Sequence, residues 1–378
     1  MNIQRGVPKT ISEYNMRKKI KVEQPEMPRL TRVAIVGAPN VGKSTLMNAL
    51  VGYKVSSISS KVHTTRHKIV GVTIQDQTQV EFLDTPGLVT QKHCFKHKLE
   101  PTFMSDPLLS SDKADILIVI NDVTNILDRN RINPGVLNIL KENQDKKSVL
   151  VLNKIDKIKE KRRLLEISTK LTDGIVGGIR SVTFKKDYHD PSKTNVKKII
   201  RENAKLLSPL ENQDDKDKTE QKSYQIQDDD NESVEEGWPN FDRVFFLSAL
   251  NHDGINEVKK YLIEQSRFRN WIYHPAFVTD QSPYEIAKAI VSEKCLNLFS
   301  KEAPYNIRVK ISNWDVDQVG NLNILMTIYC LKRHQPMIIG PKGKNIGYIV
   351  NETRNDLQNT FHCDVILKIA VKGELKQV

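Results

Sequence analysis

The chain has 378 residues, enough for two domains of ordinary size together with an insertion. Hydrophobic residues make up 38% of it and charged residues 28%, which excludes a wholly disordered chain. No apolar run approaches the ~18 residues that a membrane-spanning helix needs. Four cysteines are too few for a disulfide scaffold, and the net charge of +12 favours a polyanionic partner, either nucleic acid or an anionic surface.

The N-terminal segment, residues 1–30, is basic. It lacks the apolar stretch of a secretory signal, and three acidic residues together with Pro8 make it a poor match to a mitochondrial presequence. We expect a mobile basic tail here.

Residues 31–275 are expected to form an α/β nucleotide-binding domain. Strands are predicted for residues 33–36, 70–74, 80–83, 116–120, 149–152 and 244–247, with a hairpin joining the second to the third. Helices are predicted for residues 44–50, 135–141, 158–171 and 255–265. This alternation indicates a mostly parallel sheet with right-handed crossovers.

The first strand leads into a glycine-rich loop that fits the pattern G-x-x-x-x-G-K-[ST]. The loop and the start of the helix comprise Gly37, Ala38, Pro39, Asn40, Val41, Gly42, Lys43, Ser44 and Thr45. Its place between a strand and a helix favours phosphate binding over an ordinary glycine turn. Backbone N–H groups would face the phosphates, Lys43 would bridge the β- and γ-phosphates, and Ser44 would bind Mg²⁺.

Two further loops are expected on the phosphate side. The third strand is followed by Asp84, Thr85, Pro86 and Gly87; the carboxylate would hold the metal through water and the Gly87 N–H would contact the γ-phosphate. In the loop at residues 64–66, the Thr65 hydroxyl would complete the Mg²⁺ shell, but a plain polar loop fits these residues equally well. The predicted catalytic residues are Lys43, Thr65, Asp84 and Gly87, and the predicted metal ligands are Ser44, Thr65 and Asp84.

A base-recognition loop follows the strand at residues 149–152. It contains Asn153, Lys154 and Asp156. One carboxylate can accept both the N1–H and the 2-amino group of guanine, which adenine does not offer, and Lys154 would lie over the base. A helix cap is the alternative, since Asn and Asp both cap well. After the strand at residues 244–247, the backbone of Ser248, Ala249 and Leu250 would contact the guanine O6. The tripeptide itself is not a specific signal, and only its position directly after a strand supports this role.

From Ser282 the pattern changes to the order α-β-β-α-α-β, expected within residues 276–378. A G-x-x-G loop comprises Gly340, Pro341, Lys342 and Gly343, with Lys344 next. Its glycines would let a sugar-phosphate backbone approach closely, on an apolar floor of Ile338, Ile339 and Ile346. A glycine turn is the alternative. Residues 279–378 hold 13 Lys and Arg against 10 Asp and Glu, a net of only +3, so any nucleic-acid surface must be local.

The segment at residues 172–240 is an expected insertion in the first domain. Residues 210–237 hold 11 acidic residues against three lysines and few apolar residues, a composition typical of disorder. Its ends, residues 172–178 and 237–241, are more apolar and are expected to dock on the first domain. A partner site, or competition with nucleic acid for a basic face, are the alternative roles of the acidic part.

The stretches GAPNVGKS, HTTRH, DTPG, NKID and SAL together resemble the translation-factor-related GTPases, and the first two look most like the Era family. The α-β-β-α-α-β order and the G-x-x-G loop resemble a type II KH domain. The insertion and the link at residues 271–275 make residues 28–378 most similar to the animal mitochondrial members. The resemblance implies a P-loop GTPase domain with a mostly parallel sheet, followed by a type II KH α+β domain.

The resemblance also implies an activity and partners. These are GTP binding and hydrolysis to GDP with Mg²⁺, binding of small-subunit ribosomal RNA near its 3′ end, and help in assembling the small ribosomal subunit in the mitochondrial matrix. Leu88 stands where Ras-like enzymes place a water-orienting glutamine, so slow intrinsic hydrolysis is expected. Asn40 matches an asparagine that helps to hold K⁺ in related GTPases. Peripheral inner-membrane association is a further expectation, and no obligate oligomer is expected.

Three alternatives stay open. The chain could be a GTPase switch acting mainly on a protein partner, with the last domain as an interaction module. It could be an RNA-binding protein without hydrolysis, against which Lys43, Ser44 and Asp84 argue, or an adenine-nucleotide enzyme, against which Asp156 argues. His93, Cys94 and His97 lack a second ligand pair at a matching spacing for a metal site.

Overall fold

The computed structural model describes residues 5–57, 69–84, 110–180, 237–299 and 307–374. Up to residue 268, these residues contain the strands β1 (Arg29–Val36), β2 (Ile69–Gln75), β3 (Thr78–Asp84), β4 (Ile116–Asp122), β5 (Lys147–Asn153), β6 (Ile175–Val176), β7 (Ile179–Arg180), β8 (Phe241–Leu247) and β9 (Arg267–Phe268). The helices of this part are α1 (Ile11–Lys19), α2 (Lys43–Val51), α3 (Pro134–Glu142), α4 (Lys161–Leu171) and α5 (Ile255–Glu264).

A mostly parallel sheet forms the first domain, as the sequence predicts. Within the described residues its order is β2-β3-β1-β4-β5-β8, with β9 paired to the start of β1. β2 is antiparallel to β3 in the predicted hairpin, and β3, β1, β4, β5 and β8 are all parallel. Because the parallel strands end at one edge of the sheet, the loops that follow β1, β3, β5 and β8 converge there.

Apolar residues bury both faces of this sheet. One cluster joins β1, β4 and β5 to α2 and α5, and the other joins them to α3 and α4. The central strand β4 is buried on both sides over residues 116–120, which explains its continuous apolar run. α3 begins where Asn133 accepts a hydrogen bond from the Gly135 N–H and Pro134 occupies the first turn.

The C-terminal domain has the predicted α-β-β-α-α-β order and is a type II KH fold. Its elements are α6 (Pro283–Leu298), β10 (Arg308–Val316), β11 (Leu322–Leu331), α7 (Gln335–Ile339), α8 (Lys344–Phe361) and β12 (Val365–Glu374). β11 pairs antiparallel with β10 and parallel with β12. A capping box between Ser282 and Glu285 starts α6. α6 and α8 cover one face of the sheet, where Ile324 and Met326 are buried.

The N-terminal segment differs from the expected mobile tail. From residue 5 onward it contacts both domains, and α1 carries a buried arginine, Arg17, whose guanidinium donates to the carbonyls of Gly6 and Ala276. Lys9 Nζ donates to the Gly320 carbonyl at 2.9 Å, and the Trp314 indole N–H donates to the Lys9 carbonyl at 2.7 Å. The segment therefore links the first domain to the hairpin between β10 and β11.

The described ends of the insertion dock on the first domain, as the sequence predicts. Trp238 is buried and its backbone N–H donates to the Leu171 carbonyl at 2.9 Å. The Gly177 N–H donates to the Phe241 carbonyl at 2.8 Å. The acidic part, residues 210–236, lies outside the described residues. Among the helices of the described ranges, none is long and apolar enough to cross a membrane.

Candidate nucleotide site and nucleic-acid interface

The loop between β1 and α2 is shaped to receive phosphate. Gly37 cannot be replaced without movement, because a Cβ there would lie 2.6 Å from the Ile120 carbonyl oxygen. Gly42 has φ +105° and packs against the Asn153 amide, so it also requires glycine. Among the described residues no side-chain hydrogen bond caps α2, and its N-terminal turn with the positive end of the helix dipole borders the loop.

Lys43 lies at the centre of this loop and is buried. Its Nζ donates to the carbonyls of Gly37 at 3.1 Å and Ala38 at 2.8 Å. Burial lowers the pKa of Lys43 to about 8, against which the charge of Asp84 acts. An ammonium group held this way lacks a full counter-charge, and a nucleotide phosphate would supply it.

Asp84 ends β3 beside Ile35 of β1 and is completely buried. Its Oδ2 accepts hydrogen bonds from the hydroxyls of Ser44 and Ser56, both at 2.8 Å, whereas its buried Oδ1 has no hydrogen-bond partner among the described residues. Burial raises the pKa of Asp84, and the Ser56 hydrogen bond, the Lys43 charge and the Ser44 hydrogen bond oppose this. An unsatisfied carboxylate oxygen next to a serine hydroxyl fits a hard divalent cation such as Mg²⁺.

The loops after β5 and β8 are tied to the phosphate loop through Asn153. Its side chain is buried, donates to the Val41 carbonyl at 2.9 Å and accepts from the Ala249 N–H at 3.0 Å. The residue therefore positions the two loops, and its amide is occupied within the protein. Asp156 follows in an exposed single turn, Ile155–Lys157, with its carboxylate accessible for a base. Ser248 is buried and Leu250 is 72% exposed.

Lys154 is held in place by a residue that sequence reasoning missed. It has φ +68°, and its Nζ donates to the Asn40 carbonyl at 2.8 Å and to Asp122 Oδ2 at 2.5 Å. Asp122 also accepts from the N–H and hydroxyl of Thr124. The available signal was an acidic residue at the tip of the predicted strand β4.

Several predicted site residues lie outside the described residues. These are Thr64, Thr65, Arg66, Thr85, Pro86, Gly87 and Leu88, together with His93, Cys94 and His97. In the part of the chain that the structure describes, no group of three or more His, Cys, Asp or Glu residues could hold a metal ion.

The G-x-x-G loop connects α7 to α8 and is open to solvent. Gly340, Lys342 and Gly343 have φ values of +74°, +51° and +76°. Pro341, Lys342 and Lys344 are exposed. A Cβ on Gly343 would touch only Ile346 Cγ2, at 3.9 Å, so the space beside this glycine is open. The loop therefore presents two lysines and an unobstructed backbone at the N-terminus of the 18-residue helix α8.

The apolar floor beside this loop differs from the expectation. Ile338 is completely buried in the domain core and offers no surface to a base. Ile339 and Ile346 are partly buried. Met337 and Tyr348 are exposed by 37% and 51%, respectively, and these two residues were not predicted. Met337 and Tyr348 each precede a buried isoleucine in the sequence, and the next residue along a helix points in a different direction. The exposed side chains are therefore the sequence neighbours of buried positions.

Comparisons with known proteins agree with this geometry. The family of 50S ribosome-binding GTPases matches residues 32–154. The mitochondrial GTPase Era of Danio rerio is 39% identical over 356 residues, which cover 93% of this chain and 76% of that protein. Its counterpart in Caenorhabditis elegans is 28% identical over 90% of this chain and 89% of that protein.

Two solved structures match over both domains. One is Era in complex with MgGDPNP and nucleotides 1506–1542 of 16S ribosomal RNA, and the other is a variant of Aquifex aeolicus Era bound to GDP·AlF4⁻. Each has a TM-score of 0.61 and 26% sequence identity, and each match covers 92% of this chain and 94% of the other.

Proposed function

This chain belongs to the Era family of GTPases, and on that premise we propose that it is a GTP-dependent chaperone of small-subunit ribosomal RNA. The observation that carries the proposal is that one chain joins a guanine-nucleotide site to a KH domain with an open G-x-x-G loop. The proposed substrate is RNA near the 3′ end of the small-subunit rRNA. A related Era has been solved with nucleotides 1506–1542 of 16S ribosomal RNA, which supports this choice.

The nucleotide half hydrolyses GTP by transfer of the γ-phosphoryl group to water. Lys43 would exchange its two carbonyl partners for the β- and γ-phosphate oxygens and neutralise charge that develops there. Ser44 and Asp84 would hold Mg²⁺, which supplies further positive charge to the phosphates when bound. Asp156 would accept the two guanine N–H groups, while Asn153 keeps both flanking loops in register.

The RNA half binds through backbone approach and charge. The exposed lysines Lys342 and Lys344 would contact phosphates, and Gly343 leaves space for the sugar-phosphate backbone. Met337 and Tyr348 are exposed beside the loop and would contact bases. GTP and GDP would change RNA affinity by altering how the two domains pack.

The test is RNA crosslinking in cells with the wild type, Gly343→Asp and Gly343→Asn. The position has φ +76° and open space, and Asp and Asn both tolerate this backbone region, so both variants should fold. The aspartate places a negative charge where phosphate would lie, whereas asparagine matches its shape without the charge. We expect the aspartate variant to lose a defined small-subunit rRNA site at least tenfold and the asparagine variant to retain most of it.

Equal crosslinking of Gly343→Asp and the wild type would contradict the RNA half of the proposal. The same result would favour a GTPase that acts mainly on a protein partner. Loss of crosslinking in both variants, with folding intact, would instead mean that the glycine itself is required.

The finer parts of the proposal concern place and ions. We infer a mitochondrial matrix location, which the mitochondrial relatives support. No comparison supports membrane association. Slow intrinsic hydrolysis and a K⁺ ion near Asn40 belong to the proposal, and equal GTPase rates in K⁺ and Na⁺ would contradict the ion.

A further inference from the structure

The KH sheet has one face covered by helices and, within the described residues, one face exposed to solvent. Ile324, Met326 and Ile328 of β11 are buried against α6 and α8. Alternate residues point the other way, and Leu325 is 39% exposed. We define the outer face of this sheet by Arg308, Lys310, Leu325, Tyr329, Lys368 and Lys372.

Strand register places four cations on this face. Tyr329 lies between Arg308 and Lys372, Thr327 lies beside Lys310, and Leu325 lies beside Lys368. At the usual strand spacings these cations occupy an area of about 13 by 10 Å. The acidic residues on this side of the described strands are Asp315, at a corner, and Glu374, which pairs with Arg308 at 2.9 Å.

The outer face combines charge with surfaces on which bases can stack. The Arg308 guanidinium lies over the Tyr329 ring, 5.9 Å from its centroid. Guanidinium planes and aromatic rings both stack with unpaired bases. Leu325 and Ile366, 39% and 58% exposed, add apolar area.

The face is also continuous with the G-x-x-G loop. β11 ends in the turn Lys332–His334, where Lys332 and Arg333 are exposed, and this turn leads directly into α7. α7 is held against the end of β12, where the Gln335 amide donates to the Val371 carbonyl at 3.1 Å. The outer face and the four basic residues Lys332, Arg333, Lys342 and Lys344 together hold eight of the 13 Lys and Arg residues of residues 279–378.

We infer that the outer face is a second RNA-binding surface, which takes the phosphate backbone and unpaired bases of RNA that continues from the G-x-x-G loop around the end of the sheet. This inference rests on the proposed rRNA binding. A KH groove holds about four nucleotides, whereas the RNA solved with a related Era spans nucleotides 1506–1542. The small net charge of the domain is thus concentrated along one continuous path.

The test compares two RNA probes on the full chain. One is the 16S fragment 1506–1542, and the other is a piece of it of about six nucleotides that fills the loop groove alone. Replacing Lys310→Ala and Lys368→Ala together should weaken binding of the long probe about tenfold and leave the short probe within twofold. For the long probe, the slope of log binding constant against log salt concentration should become shallower by about 1.4 to 1.8, since two phosphate contacts are lost. The Lys310→Arg and Lys368→Arg pair should restore both quantities.

The matched control removes two charges elsewhere. Arg162 and Arg163 are exposed on α4 of the GTPase domain, so Arg162→Ala with Arg163→Ala should change neither probe. If the sheet pair behaves like this control, or weakens both probes equally, the inference is wrong. If the wild type binds neither probe, the proposed rRNA function fails instead.

Lysine acetylation followed by mass spectrometry identifies the occupant directly. The long probe should protect Lys310 and Lys368 from acetylation and leave Lys161 reactive. If the long probe binds without protecting these two lysines, the face is not an RNA surface. Protection by a ribosomal protein alone would then make it a protein interface.

Discussion

Removing the charge of Lys54 should loosen the contact between the GTPase and KH domains. Its Nζ lies 3.0 Å from Glu293 Oε1 on α6 and 2.5 Å from Asp356 Oδ2 on α8. Lys294 pairs with the same carboxylates at 3.5 and 2.5 Å. In Lys54→Met the apolar stem stays, and Glu293 and Asp356 each lose the Lys54 cation while Lys294 still contacts both.

The size of the expected loss of stability follows from the burial of the three side chains. At an effective dielectric constant of about 20, a pair at 3 Å has a gross attraction of about 5 kcal/mol, most of which desolvation offsets. The side chains of Lys54, Glu293 and Asp356 are 19%, 4% and 22% exposed, between a buried pair and a surface pair. We expect Lys54→Met to lower the free energy of unfolding by about 2 kcal/mol.

Chemical denaturation of the full chain measures this change. A double-mutant cycle with Asp356→Asn should give a coupling energy of about 1 kcal/mol. The control Arg131→Met breaks an ion pair with Asp128 whose partners are 56% and 50% exposed, and it should cost less than about 0.5 kcal/mol. A coupling energy within about 0.3 kcal/mol of zero would refute the reasoning.

The ion-pair cluster of Lys54, Lys294, Glu293 and Asp356 also makes the stability of the protein depend on pH. Burial alone would raise the pKa of Asp356, but hydrogen bonds from Lys294 and Lys54 outweigh burial and hold it below 3.8. Burial would lower the pKa of Lys294, but the Asp356 hydrogen bond and the Glu293 charge hold it above 10.5. The stability from Asp356 is therefore present above about pH 4 and lost below it, and that from Lys294 is present below about pH 10.5 and lost above it. Lys54→Met should flatten the acid limb.

Three further outcomes are expected at the nucleotide site. Asp156→Asn should weaken GTP binding at least 100-fold and improve binding of xanthosine triphosphate, because one hydrogen-bond acceptor becomes a donor that faces the xanthine 2-oxygen. An unchanged GTP affinity in a titration would contradict guanine recognition by Asp156. Nucleotide affinity should fall as pH rises above about 8, because the Lys43 pKa is near 8 without nucleotide and phosphate raises it; a flat affinity from pH 7 to 9 would contradict this. Asp122→Ala should weaken GTP and GDP about equally, roughly tenfold, with kcat unchanged, because Lys154 loses its carboxylate partner; a selective loss of GTP would point to a different role.

The nucleotide site was predictable because its signals are local and its topology is regular. Each loop directly follows an apolar strand, and parallel strands bring their carboxyl ends to one edge. Asn153 and Ala249, 96 residues apart in sequence, therefore meet in a hydrogen bond of 3.0 Å. The sequence pattern did not show that the side-chain amide of Asn153 forms its hydrogen bonds within the protein, with Val41 and Ala249.

The docking of the N-terminal segment was not predictable for a physical reason. Arg17 and Lys9 donate to main-chain carbonyls, of Ala276 and Gly320 among others. Every residue has such a carbonyl, so these contacts leave no pattern in the partner sequence. A basic composition alone is equally compatible with a solvated tail. The prediction that Ile338 forms part of the base-binding surface was wrong for another reason. The five-residue helix α7 is too short for the sequence pattern to show which of its side chains face the core.

Lys54 lies just after α2 and contacts α8, and both of these helices begin at a predicted phosphate-binding loop. α2 starts at Lys43 and ends two residues before Tyr53, after which Lys54 reaches across to the KH domain. α8 starts at Lys344, directly after the G-x-x-G loop, and carries Asp356 in its fourth turn. A helix moves largely as one unit, because its interior N–H groups donate to carbonyls four residues earlier in the same helix. We expect Lys54→Met to reduce the difference in RNA affinity between the GTP-bound and GDP-bound protein while each loop still binds its own ligand, because this ion pair directly connects the segment after α2 to α8. RNA titrations in GTP and in GDP measure this, and an unchanged difference would contradict the coupling.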